Sequence, residues 1–129
     1  MQINHKLVFA LTLGGAVGGS VVQGLHAQAK PPAYVIAEID IMNEDAFEKE
    51  YVGPGSKALI DRGAKYLARG GKTESFKGDP PKRIILLSFE SLDQAKAAFS
   101  SAAFVEAATV GEKYAKFRIY AVESSPPPQ

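Results

Sequence analysis

The side chains with the most chemical reach in this sequence are the carboxylates Glu38 and Asp40, the guanidinium of Arg69, and the hydroxyls of Tyr66 and Tyr120. Glu38 and Asp40 are two residues apart in an alternating run, so they share one face of a strand. Arg69 closes a second extended run just ahead of Gly70-Gly71. A carboxylate and a guanidinium converging on a semi-enclosed cavity would bind a small polar or anionic ligand, and Glu38 would act as a base if burial raised its pKa. Tyr66 and Tyr120 would offer hydroxyls to the same cavity. The plainer reading of the charged pair is a structural salt bridge at a subunit interface, where arginine is favoured anyway. For the tyrosines it is amphipathic packing at a sheet edge. The expected ligand-binding set is Glu38, Tyr66 and Arg69, with no catalytic residue assigned, no metal site and no cofactor.

Missing residue types narrow the chemistry further. The chain has no cysteine, which removes disulfides, a thiolate nucleophile and Cys-based zinc or iron–sulfur sites. Its two histidines are His5 and His26. Both fall in a segment with the order of a secretory signal: Lys6, an uncharged and mostly apolar run over 7–22, then Ala27-Gln28-Ala29 as a small-x-small cleavage pattern. A retained anchor would need about 20 strongly apolar residues, and Gly14, Gly15, Gly18, Gly19 and Gly24 dilute this stretch. The expectation is an exported protein, periplasmic or secreted, with residues 1–29 removed and no stable membrane association afterwards. The remaining domain would hold no His, Cys or Trp, which excludes a Ser-His-Asp triad, a His-ligated metal and a His-ligated haem.

Charge excludes another class. The chain carries 15 Lys+Arg against 14 Asp+Glu, and with Lys6 set aside the rest is formally neutral. A nucleic-acid binder needs a net basic surface to displace counterions, so nucleic acid is not an expected partner. Gly70-Gly71 lacks the downstream Lys-Ser/Thr of a phosphate loop and reads as a turn or bulge. Lys82-Arg83 reads as an anion-attracting pair or a solvated strand entrance. Glu44, Asp45, Glu48 and Glu50 read as the solvated face of a helix, without calcium-loop spacing.

The elements that position these groups follow from periodicity. Residues 34–41 alternate, with Val35, Ala37, Ile39 and Ile41 on the apolar face. Asn43 caps a helix carrying Phe47 and Tyr51; Gly53-Pro54-Gly55 is expected to interrupt it, and Gly63 to end its continuation. Residues 65–69 read as a second strand, extended by 73–76 beyond a bend. Residues 82–89 are apolar on both faces, as in a central strand. Ser91-Leu92-Asp93-Gln94 is a capping box for a helix with Leu92, Ala95 and Phe99 buried; Ser100-Ser101 breaks it, and a further helical stretch starts at Ala102. Residues 116–122 form the last strand. The order is β-α-β-β-α-β, an α+β ferredoxin-like sandwich with an antiparallel sheet and both helices on one face. The bounds are a leader at 30–33, the domain at 34–123 and a Pro-rich tail at 124–129. The uncovered face would carry Tyr34, Ile36 and apolar residues of 82–89, a liability for so small a domain. A face-to-face homodimer, with a cavity between the sheets, resolves it.

The stretches Ala33-Tyr34-Val35-Ile36-Ala37-Glu38, Lys65-Tyr66-Leu67-Ala68-Arg69-Gly70-Gly71 and Pro81-Lys82-Arg83 resemble the "domain of unknown function 1330" family of the dimeric α/β-barrel superfamily. That superfamily includes small cofactor-independent monooxygenases and isomerases. The resemblance implies a dimeric α/β barrel and leaves the reaction open. Relatives carry a Trp beside the turn prolines, where this chain has Asp79-Pro80-Pro81. Their aromatic pair is here Ala98-Phe99, and an Arg of the following helix aligns with Gly111. These departures argue against a shared substrate. Three functions remain from the sequence: an exported dimeric domain binding a small molecule at the dimer interface, a cofactor-independent oxygenase or isomerase, and an interaction module without ligand.

Overall fold

Alternation in the first strand sets up the two sides of the molecule. Strand β1 (Ala33–Ile41) buries Ala33, Val35, Ala37 and Ile39 and turns Tyr34, Ile36, Glu38 and Asp40 the other way. The computed structural model describes residues 30–126. The expected export signal at 1–29 and the end of the Pro-rich tail lie outside the described residues. No helix among the described residues is long and apolar enough to cross a membrane.

After β1 the Asn43 side chain accepts a hydrogen bond from the Ala46 N–H at 3.2 Å and opens helix α1 (Glu44–Phe47). The chain continues through a π-helical segment (Glu48–Val52) into α2 (Gly53–Ile60). The interruption expected at Gly53-Pro54-Gly55 does not occur, since Phe47, Val52 and Gly53 all keep right-handed helical dihedrals. Proline lacks an N–H and crowds the carbonyl one turn back. The wide π turn immediately before Pro54 accommodates both effects without ending the rod. Gly63, at φ +96°, ends it, and the Ala64 N–H returns to the Leu59 carbonyl at 3.1 Å.

Strand β2 (Lys65–Arg69) leads through residues 70–82 to β3 (Arg83–Phe89). The expected extension over 73–76 is absent. Gly70 and Gly78 take φ +64° and +79°, and the Ser75 hydroxyl donates to the Gly78 carbonyl, so the segment turns back on itself. Helix α3 (Leu92–Phe99) starts where Ser91 Oγ accepts from the Gln94 N–H at 3.1 Å while Gln94 Oε1 accepts from the Glu90 N–H at 2.7 Å. Ser101 caps α4 (Ala102–Gly111), and β4 (Ala115–Glu123) completes the domain. The sheet order is β2-β3-β1-β4 with every neighbouring pair antiparallel. The described helices all cover the face of Val35, Ala37 and Ile39, which makes the domain an α+β ferredoxin-like sandwich.

The covered side does not fill uniformly. One buried cluster gathers Val35, Leu59, Leu87, Phe89 and Phe104; a second gathers Ala37, Ile39, Phe47, Tyr51 and Ala107. Ile85 packs against both. Tyr51 anchors the second cluster, with the Phe47 and Phe117 rings 5.0 and 5.1 Å away. Two glycines admit it: a Cβ on Gly111 would stand 2.5 Å from Tyr51 Cδ1, and one on Gly55 would stand 2.9 Å from Cζ.

Ordinarily Gly→Ala inside a helix stabilises by about 0.5–1 kcal/mol. Here Gly111→Ala should instead destabilise by about 1–3 kcal/mol, because the added methyl overlaps the Tyr51 ring and can be accommodated only by pulling that ring out of its packing with Phe47 and Phe117. Tyr51→Leu placed in the same chain should recover part of the loss. Chemical denaturation of the two single variants and the double variant checks this; a stabilised Gly111→Ala protein would contradict the slot.

Candidate ligand-binding cavity

At the seam between the two clusters lies a cavity of about 280 Å³, walled by residues of both. Its floor is the covered face of the sheet at Ala37, Ile39, Ile85 and Leu87, and its sides include the rings of Phe47, Phe99, Phe104 and Phe117. Of the exposed wall residues, Glu48, Arg69 and Gly70 mark an opening between the helical rod and the β2–β3 edge, while Ile119 lies on β4 at the other edge of the sheet.

The position of Arg69 depends on an irregularity in β2. Side chains alternate along a strand, so residues 66 and 69 would ordinarily point to opposite faces. The β2–β3 register shifts between Tyr66 and Ala68: Tyr66 pairs with Leu87, Ala68 with Leu86 and Arg69 with Ile85. The extra residue, Leu67, restores parity, and Tyr66 and Arg69 both turn to the covered face. There the Arg69 guanidinium lies 4.2 Å from the Tyr66 ring centroid and donates a hydrogen bond to Ser56 Oγ on α2. No carboxylate among the described residues forms an ion pair with it.

Arg83, across the opening, is placed differently. Its two terminal nitrogens reach Glu44 at 2.7 Å and Glu48 at 3.0 Å, and the guanidinium sits 5.9 Å from the Phe47 ring. Glu44 and Glu48 are one turn apart at the start of the rod, so two of the four acidic residues expected to be merely solvated clamp the β3 entrance to the helix. Lys82 pairs with Asp40 at 3.1 Å.

Of the residues expected from the sequence, Tyr66 and Arg69 come together on the cavity wall and Glu38 does not join them. Glu38 and Asp40 belong to the opposite, open face, as the alternation of β1 requires. On that face the Tyr120 hydroxyl donates to Glu38 Oε2 at 2.6 Å, with Arg118 Nε at 3.9 Å from the same oxygen. A single cavity holding Glu38, Arg69, Tyr66 and Tyr120 therefore does not form. The sequence reading missed Tyr51, Ser56, Glu48 and Arg83 as wall residues. Gly55 and Gly111 were the available signal, since glycines inside helices beside a large ring mark a close approach.

Tyr51 is buried yet its ring borders the cavity, and among the described residues nothing hydrogen-bonds its hydroxyl. Burial first, and the nearby Tyr66 second, raise its pKa well above the ordinary 10.0. A phenol whose pKa is raised in the folded state is favoured there in its protonated form. The stability it contributes is intact below the unfolded value of 10.0 and is lost as the pH rises above that. Tyr51 should thus ionise only as the domain unfolds, and Tyr51→Phe should lessen the alkaline loss of stability. Tyrosinate absorbance followed together with circular dichroism tests this; ionisation of Tyr51 in the intact fold would contradict it.

With the geometry in place, comparisons with known proteins locate the chain. A protein of unknown function from Rhodopseudomonas palustris superimposes with a TM-score of 0.60 at 11% identity, over 84% of this chain and 94% of its own. A hypothetical protein of Arabidopsis thaliana gives 0.56 at 16% identity, over 78% and 95%. SnoaB, a cofactor-independent oxygenase from Streptomyces nogalater, gives 0.54 at 12% identity, over 77% and 99%. At such identities the likeness speaks for the fold alone. No curated protein sequence matches the chain. The family profile described as domain of unknown function (DUF1330) matches residues 32–125, from the start of β1 past the end of β4. The chain belongs to the DUF1330 family.

Proposed function

We propose that this is an exported small-molecule-binding domain whose ligand occupies the cavity between the sheet and the helices of each protomer. The observation that carries the reading is the 280 Å³ space itself, aromatic-walled and opening beside Arg69. Close packing is the rule for protein interiors, so a void of this size between two well-packed clusters calls for an occupant. The location differs from the one expected between two sheets, because the described space lies on the helix-covered face. Binding is favoured over turnover by the state of Glu48, the one carboxylate among the described wall residues, which is tied to Arg83. A cofactor-independent oxygenase, as SnoaB is described, is the second reading, and it draws on the shared fold.

The open face supports a homodimer. Tyr34, Tyr120 and Val122 are exposed there, beside the half-buried Ile36, Ile84 and Leu86. A second copy laid face to face would cover this surface, with Tyr120–Glu38–Arg118 at its polar margin.

Two measurements test these readings. An environment-sensitive aromatic probe, 1-anilinonaphthalene-8-sulfonate, should bind the folded protein, and Ile85→Phe, which fills the cavity from its floor, should abolish that signal. Ser56→Trp, which blocks the opening from its rim, provides a second route should Ile85→Phe fail to fold. Undiminished probe binding in both variants would sink the cavity reading. Sedimentation of the domain should give a dimer that Val122→Glu dissociates; a monomeric wild type would remove the face-to-face assembly.

A further inference from the structure

We infer that the cavity takes a flat aromatic acid, a body of one or two rings carrying a single carboxylate that Arg69 holds at the opening. This rests on the reading of the cavity as a ligand site and adds the class of ligand. The volume of about 280 Å³ is at the small end of ligand cavities and suits a compact ring system. Phe47, Phe99, Phe104 and Phe117 supply flat apolar surface on several sides. Ring edges and faces meet in offset or tilted geometry, as Phe99 and Phe104 already do at 4.8 Å and 75°.

The charge is assigned by comparing the two arginines of the rim. Both terminal nitrogens of Arg83 are taken by Glu44 and Glu48, and its charge is offset. Arg69 donates to a neutral acceptor, Ser56, and stacks on Tyr66, with no described carboxylate paired to it. A guanidinium has five N–H donors, so most of its fork is free for a planar oxyanion. Stacking on Tyr66 fixes the plane of that fork, which lowers the entropy lost when two parallel hydrogen bonds form. A cationic ligand would face Arg69 with no free carboxylate to receive it, because the Glu48 oxygen on this rim is already held by Arg83. A neutral ligand would cover the guanidinium without answering its charge. Tyr51, whose ring borders the cavity and whose hydroxyl end lies beside Gly55 of α2, has no described hydrogen-bond partner and offers a donor to a hydroxyl or carbonyl oxygen that reaches it.

Calorimetric titration of the folded domain with 1-naphthoate and with its neutral counterpart 1-naphthalenemethanol tests the assignment. Naphthoate should bind about tenfold to a hundredfold more tightly than the alcohol, the range expected for a charge-assisted hydrogen-bonded pair. Arg69→Gln should bring the acid down to the level of the alcohol, whose own affinity should hold or rise because it no longer covers an unanswered charge. Arg69→Lys, which keeps the charge and loses the fork, should weaken the acid alone and serves if the glutamine variant does not fold. Equal affinity of acid and alcohol in the wild type would overturn the anionic class while leaving the cavity reading intact. Failure of both probes to bind would remove the two readings together.

Discussion

The candidate site in this domain depends on parity along a five-residue strand. A β-strand sends successive side chains to opposite faces, and that rule cannot be broken locally without adding or removing a residue. Leu67 is that residue. By standing outside the ladder it lets Tyr66 and Arg69, three positions apart, face the same interior space. Without the bulge, either the tyrosine would leave the cavity or the guanidinium would point toward the open face. The edge position of β2 makes the irregularity tolerable, because only one ladder is interrupted.

Around that arrangement the packing is divided rather than continuous. Tyr51 draws Phe47 and Phe117 into one cluster, and Phe104 with Phe89 and Leu87 forms another. The ring of Tyr51 fits only because Gly55 and Gly111 have no Cβ, and the π turn it belongs to carries the rod across Pro54. These features are coupled. A straight α-helix through 48–52 would shift the phase of everything after it, including Ser56, which receives the Arg69 hydrogen bond. The rod therefore sets the far wall of the cavity to match the bulge on the near wall.

What the sequence revealed and what it hid follow from the range of the interactions involved. Asn43, Ser91 and Gly63 act within four residues, and each does in the structure what its type and position indicate. The alternation of β1 likewise placed Glu38 on the less apolar face correctly. Arg69 was placed with Glu38 because nothing in Lys65-Tyr66-Leu67-Ala68-Arg69 advertises a bulge; the usual glycine signal sits beyond it, at Gly70-Gly71. Gly53-Pro54-Gly55 read as a break because proline's penalty is local, whereas its relief by a π turn depends on Tyr51 being held by residues more than fifty positions away. Arg83 and Glu48 are 35 residues apart, and their ion pair had no local signature at all.

The two arginines at the opening show how similar residues take separate roles through their surroundings. Exposed ion pairs contribute little to stability, about 0–1 kcal/mol each, so the worth of the Arg83 pairs with Glu44 and Glu48 lies in geometry: they fasten the start of β3 to the rod. Once Arg83 is committed to those carboxylates, it no longer competes for an incoming anion, and the carboxylates no longer repel one as free charges. Arg69 is thereby left as the cationic hydrogen-bond donor of the rim, oriented by Tyr66 and Ser56. On the proposed reading, a cavity that is apolar within and charged at one edge would order its ligand by the same division, with the ring inward and the polar end outward. The bulge that turns Arg69 inward and the clamp that occupies Arg83 stand on opposite sides of the same opening, and for the proposed ligand they would act as two halves of one selectivity device.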